Sequence, residues 1–232
     1  MQPLPDECKK PELLAALARF HAPRADDFAA ACLTEEAAGL LRNGVLQRLE
    51  GSRAGKALVR TYLFRHSGLA DPEPVPFTDF HDERRRLALL DRQTLTRLAL
   101  LYGACLYAPQ AAQCIRRDEA LTLRAALGPD YGYALSRGRF QMQRARACFE
   151  GFRPDLALPA RMRAAGFAAL RLCMADWPPA LRRHAAPLLP EELRAPDRDD
   201  PPCDRETLAI IWLDLKKLLL KEAAPQWQAC FA

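Results

Sequence analysis

Eight cysteines and four histidines are the residues through which this chain could bind a metal or carry a nucleophile. Zinc sites show in sequence as Cys pairs separated by two residues, or as His and Cys three to four apart on one helical face. Cys8, Cys32, Cys105, Cys114, Cys148, Cys173, Cys203 and Cys230 contain no such pair. None of His21, His66, His81 and His184 has a His or Cys three or four residues away. His81-Asp82-Glu83 is a local polar cluster that fits the cap of a helix starting there. Gly51-Ser-Arg-Ala-Gly55-Lys56-Ala57 approaches a phosphate-binding loop, but that motif needs four residues between its glycines and a Ser or Thr after the lysine to hold magnesium. Here three residues intervene, Ala57 follows, and no strand pattern precedes. Asp and Glu are scattered without the spacing of an acid–base pair. A Cys–His couple is assembled only by the fold, and nothing local marks one. No catalytic residue, metal or cofactor is expected, and the chain reads as a non-enzyme.

What remains is charge. The chain carries 34 Lys/Arg against 29 Asp/Glu, a net +5. The excess sits in the middle: residues 81–155 hold 13 basic and 8 acidic side chains, while residues 1–80 hold 10 and 11. A basic middle favours an acidic partner, whether protein, nucleic acid or anionic membrane. The candidate contact residues are Arg116, Arg117, Arg124, Arg137 and Arg139, with Arg144 and Arg146 beside them. A solvated arginine surface is the plain alternative for any one of them. Nucleic-acid sites usually add stacking aromatics or a recognition helix. Tyr131 and Tyr133 are the nearby tyrosines, and they are expected to pack in the core. A protein partner is therefore favoured, with a helical nucleic-acid-binding regulator as the alternative.

The elements that position these arginines are helices. Ala, Leu and Arg dominate, and all three form helices readily; β-branched Val and Ile are scarce. The fold class is all-α, a compact multi-helix domain with short helices and proline-rich loops. Pro11 opens a first helix with Leu13, Leu14, Leu17 and Phe20 on one face, and Pro23 ends it. Thr34 caps a second, whose buried face is Leu40, Leu41, Val45, Leu46 and Leu49. A short helix follows over Ala57–Phe64. Residues 69–80 hold three prolines in five positions and read as a linker or surface loop, which allows an N-terminal helical subdomain 1–68 within a single domain 1–232. From Asp82 a stripe runs through Leu87, Leu90, Thr94, Leu98, Leu101, Tyr102 and Cys105 until Pro109 breaks it. Asp118-Glu119 open the next helix and Gly128-Pro129 stop it. Leu158–Ala175 carries an apolar stripe wide enough for burial on two sides. Residues 187–203 are proline-rich and acidic, and the last helix spans about Arg205–Ala223. The start, MQPLPDECKK, lacks the order of a signal peptide. The longest apolar run, Leu98–Ala108, is about half of the ~20 residues a membrane span needs. A soluble, reduced, cytoplasmic protein is expected.

The segment Leu95–Arg139 resembles the K subunit of the cytoplasmic sorting platform of bacterial type III secretion systems (the SctK/YscK family). The resemblance rests on Leu98-Ala-Leu-Leu-Tyr-Gly103-Ala-Cys-Leu-Tyr-Ala-Pro109, then Ile115-Arg116-Arg117, then Leu121-Thr-Leu-Arg124-Ala-Ala-Leu127-Gly128, then Tyr133-Ala-Leu135. It covers about a fifth of the chain, with Gly103, Ala108-Pro109, Arg124 and Leu127-Gly128 as its landmarks. It implies a non-enzymatic adaptor without cofactor or small-molecule substrate. Its implied partners are the cytoplasmic domain of the inner-membrane ring protein and the pod protein, with membrane contact only through them.

Overall fold

Helix formers, N-caps and prolines set the pattern of the computed structural model, which describes residues 11–28, 30–67, 77–114, 116–140 and 142–231. Among the described residues there are thirteen α-helical segments and no strand, so the chain is all-α. They are α1 (Pro11–His21), α2 (Glu35–Arg42), α3 (Val45–Leu49), α4 (Arg53–His66), α5 (Arg92–Leu106), α6 (Ala108–Ala111) and α7 (Arg117–Leu127). Then come α8 (Tyr131–Ser136), α9 (Gln143–Arg146), α10 (Leu158–Met174), α11 (Pro179–Ala185), α12 (Arg205–Leu218) and α13 (Gln228–Phe231).

Several boundaries differ from the sequence pattern. The helix expected to run on from Thr34 breaks in two, because Asn43 ends α2 and Gly44 takes φ 67°, a conformation glycine adopts without strain. Leu49 consequently leaves the core and is 54% exposed. Asp82 does cap, its carboxylate accepting from the Arg84 N–H at 2.9 Å, but what it caps is a 3₁₀ turn, Glu83–Leu89. Extended backbone at Leu90 separates that turn from α5. The helix expected at Ala57–Phe64 starts earlier, at Arg53, because Ser52 Oγ accepts from the Gly55 N–H at 2.9 Å. Of the proline-rich stretch 69–80, residues 69–76 lie outside the described residues, and 77–80 form no regular element.

The chain divides into two compact units. The first takes the residues up to Arg92 together with Trp177–Arg194 and Ala229–Ala232; the second takes Gln93–Asp176 and Ala195–Gln228. The chain passes from one unit to the other at Arg92–Gln93, Asp176–Trp177, Arg194–Ala195 and Gln228–Ala229. The first unit buries Leu13, Leu17 and Phe20 of α1 and Val59, Leu63 and Phe64 of α4. Its aromatic rings meet edge to face, as in the Phe20–Phe80 and Phe28–Phe64 pairs. Arg86 is buried there, its Nε donating to the Phe80 carbonyl at 3.0 Å and its Nη1 to the Cys230 carbonyl at 2.8 Å.

In the second unit α5 and α10 approach each other backbone to backbone. A Cβ placed on Gly103 would lie 1.8 Å from the Met162 carbonyl oxygen, and one on Gly166 would lie 1.8 Å from that of Ala99. The pairing 99 with 166 and 103 with 162 means that the two helices run antiparallel with backbones in contact. Glycine at both positions is what permits it. Residues 165–170 are all buried, as the wide stripe on this helix required. Three arginines fasten the periphery. Arg97 grips Asp130 with two hydrogen bonds and donates a third to the Ala223 carbonyl. Arg146 donates to the Leu106 and Cys105 carbonyls, capping the C-terminus of α5. Arg171 forks onto Asp200 at 2.8 and 2.5 Å, holding the acidic loop 197–200 on α10.

Candidate partner-binding surface

The helix α7 carries the candidate arginines because its two faces differ. Leu123 and Leu127 are buried, and a flanking face of the helix looks outward. Arg117, Leu121 and Arg124 stand at i, i+4 and i+7 on that face, one above the other, and all three are exposed, Leu121 by 54%. Arg116 stands at the N-cap, with its guanidinium 3.7 Å from the Asp118 carboxylate. Both side chains of that pair are largely in solvent, so it contributes at most about 1 kcal/mol and leaves Arg116 available. Arg137 is exposed at the C-cap of α8, on a different helix, and Arg139 lies in the turn Gly138–Phe140 with its side chain outside the described residues. The fold thus brings Arg116, Arg117 and Arg124 onto one helix around an exposed leucine. Tyr131 and Tyr133, expected in a core, are half-buried. Arg146, grouped with the surface arginines by sequence, faces inward as a helix cap.

Four of the cysteines are shifted away from the thiolate form. Burial pushes the Cys105 thiol up to about 12 and the Cys203 thiol up to about 11, and moves Cys32 and Cys148 in the same direction. An activated thiol needs the opposite shift. His21 and His184, 163 positions apart in sequence, come together with ring centroids 5.4 Å apart. Desolvation lowers both, and His184 Nε2 lies 3.0 Å from the Phe20 carbonyl oxygen, which fixes its N–H there in the neutral ring. Among the described residues no three His, Cys, Asp or Glu gather in a metal-binding group. A cleft of about 380 Å³ at the end of α5 is lined by Tyr107, Arg146 and Arg161. Tyr107 Oη donates to the Phe149 carbonyl, Arg146 to those of Leu106 and Cys105, and Arg161 Nη2 to those of Pro154 and Leu156, while the buried Arg161 Nε has no partner among the described residues.

No family model, curated protein or solved structure matches this chain.

Five cations also converge in the first unit, in a segment whose net charge does not mark it. Arg19, Arg24, Arg53, Lys56 and Arg60 line one cleft of about 540 Å³. The available signal was the spacing of Arg53, Lys56 and Arg60 at i, i+3 and i+7 on a helical face. The near-balanced charge of residues 1–80 concealed it.

Proposed function

We propose that this protein is a non-enzymatic, cytoplasmic adaptor of a bacterial type III secretion sorting platform, joining the inner-membrane ring protein to the pod protein. The observation that carries the reading is the outer face of α7, where exposed Leu121 sits between Arg117 and Arg124 within the segment that resembles the family. A leucine flanked by guanidiniums suits an acidic protein surface with an apolar centre: the leucine supplies buried area and the arginines supply register and encounter rate. The shifted thiols and the paired neutral histidines have structural explanations, which is consistent with a protein that works through its surfaces. Among the described residues no helix is long and apolar enough to cross a membrane, so attachment to the ring would run through a partner.

The test is affinity measurement of the purified chain against the ring protein's cytoplasmic domain and against the pod protein. The double variant Arg117→Glu/Arg124→Glu should weaken binding to one of them roughly tenfold or more and flatten its salt dependence. Unchanged affinity for both in a folded variant rejects the surface. Binding of duplex DNA through the same residues with a steep salt slope would replace the adaptor reading by that of a regulator.

A further inference from the structure

We infer that the basic cleft of the first unit binds a small anion carrying two or more phosphate groups. Three local features build the cleft. Pro23 stops the chain from continuing α1, so Arg19 in the last turn of α1 and Arg24 just beyond it stand on either side of a bend. The bend is fixed by Glu50, whose Oε1 accepts from the Ala25 N–H at 2.8 Å. The first turn of α4 packs directly on the end of α3, since a Cβ on Gly55 would lie 1.8 Å from the Leu49 carbonyl oxygen. That contact presents Arg53, Lys56 and Arg60 as one stripe, and Arg60 Nη1 reaches the His21 carbonyl at 3.4 Å to close the stripe against α1.

Five cations and one carboxylate line the cleft. Arg19 is partly neutralised by Asp27 at 2.5 Å, and Glu50 is committed to its backbone N–H. Arg24, Arg53 and Lys56 are exposed, and no carboxylate pairs with their side chains among the described residues. Like charges converging in one concavity repel each other, and a multivalent anion relieves all of those repulsions at once. Guanidinium forks match phosphate oxygens two at a time, with the lysine as a point charge between them. The N-terminus of α4 adds a partial positive charge of the same sign.

The remaining lining decides the class of ligand. It is Ala22, Pro23 and Ala57, with no aromatic ring and no large apolar side chain. A nucleobase would find no aromatic ring to stack on, and a peptide would find no pocket for an anchoring side chain. Recognition therefore falls on charge and phosphate oxygens alone. The volume lies within the range of small-ligand sites, roughly 300–1,000 Å³. This site is separate from the α7 surface and stands or falls without it.

The experiment is calorimetric titration of the full chain with inorganic tripolyphosphate, orthophosphate and poly-glutamate, beside sedimentation with phosphatidylcholine vesicles carrying phosphatidylinositol bisphosphate. Tripolyphosphate should bind roughly tenfold or more tightly than orthophosphate and weaken with salt. Arg53→Gln/Lys56→Gln, both exposed on α4, should lower that affinity at least tenfold while leaving the far-UV circular dichroism unchanged. Arg117→Glu/Arg124→Glu should leave it intact. Vesicle binding lost in the Arg53/Lys56 variant assigns the phosphates to a lipid headgroup. Tripolyphosphate binding without vesicle binding assigns them to a soluble molecule. No tripolyphosphate binding, binding that the Arg53/Lys56 variant retains, or equal affinity for poly-glutamate overturns the inference.

Discussion

Replacing Gly103 by alanine puts a methyl group where α10 already has a backbone oxygen. The methyl carbon would stand 1.8 Å from the Met162 carbonyl oxygen, while real Cβ contacts essentially never fall under 3.0 Å, so about 1.2 Å of movement is required. A flexible side chain could give way, but a carbonyl inside a helix cannot. In the α-helical ladder that oxygen faces the N–H of Gly166, four residues on. The helices must therefore separate as bodies. Separation loosens Leu98, Leu101 and Tyr102 on one side and the buried run 165–170 on the other. A gap of 0.5–1 Å already forfeits roughly a quarter to a half of the dispersion energy of each atom pair it opens. Overpacking of this kind costs about 1–3 kcal/mol, occasionally more. The better helix propensity of alanine offsets about 1 kcal/mol. With an unyielding backbone atom as the obstacle, the upper part of that range applies, and a net loss of about 2 kcal/mol is expected. Gly166→Ala meets the Ala99 oxygen in the same way and should cost a similar amount. The double variant should lose clearly less than the two singles combined, because one separation accommodates both methyls. Gly39→Ala is the internal control: it lies within α2 with nothing within 4 Å of its added Cβ, so alanine there should stabilise by about 0.5–1 kcal/mol. Urea titration followed by far-UV circular dichroism measures all four. Gly103→Ala stability equal to or above that of the parent would refute the backbone-contact account of the crossing.

Other parts of the fold give further tests. Arg171→Met removes one member of an ion pair whose side chains are only 9% and 14% exposed, leaving Asp200 without its fork; a loss of about 2–4 kcal/mol in urea melts is expected, and a loss below about 0.5 kcal/mol would show that the acidic loop is held otherwise. Tyr102 is fully buried and its hydroxyl has no partner among the described residues, so Tyr102→Phe should be neutral or stabilising by about 1 kcal/mol; a loss above that would reveal a hydrogen bond to the phenol. His21 and His184 face Phe20, Phe64 and Arg60, and desolvation lowers both, so the unfolded chain binds more protons than the folded one just below the ordinary value of about 6.5. Their contribution is complete above about 6.5 and is lost as pH falls through the lowered folded values; His184→Phe should reduce the fall in stability between about pH 7 and pH 5, and an unchanged fall would place its origin elsewhere.

Much of the architecture was legible along the chain because its causes are local. Thr34, Ser52 and Asp204 accept from N–H groups three residues on, and Pro109 and Gly128 stand at the breaks their chemistry dictates. The Asn43–Gly44 break was legible too, as a turn dipeptide, but the leucine spacing on either side runs through it and reads as one helix. The role of Gly103 was not legible. In the sequence it is one small residue among many, and its necessity comes from α10 passing about sixty residues later.

Charge was the least legible property, for the same reason. Of the 13 basic residues in 81–155, seven are engaged inside the fold: Arg84 with Asp82, Arg85 with Asp79, Arg86 and Arg92 with carbonyls, Arg97 with Asp130, Arg146 with the end of α5, and Arg153 with Asp199. The segment with the largest positive excess therefore uses over half of its cations to fasten helix ends and turns. The segment with no excess collects five on one cleft. A net charge per segment counts residues, whereas the field a partner meets depends on which of them remain unpaired and converge. Arg117 and Arg124 flanking an exposed leucine suit a broad protein surface, and Arg24, Arg53 and Lys56 around a small concavity suit a compact polyanion. If both surfaces act, the two charge variants should each abolish one binding event and spare the other, which one general attraction for anions could not produce.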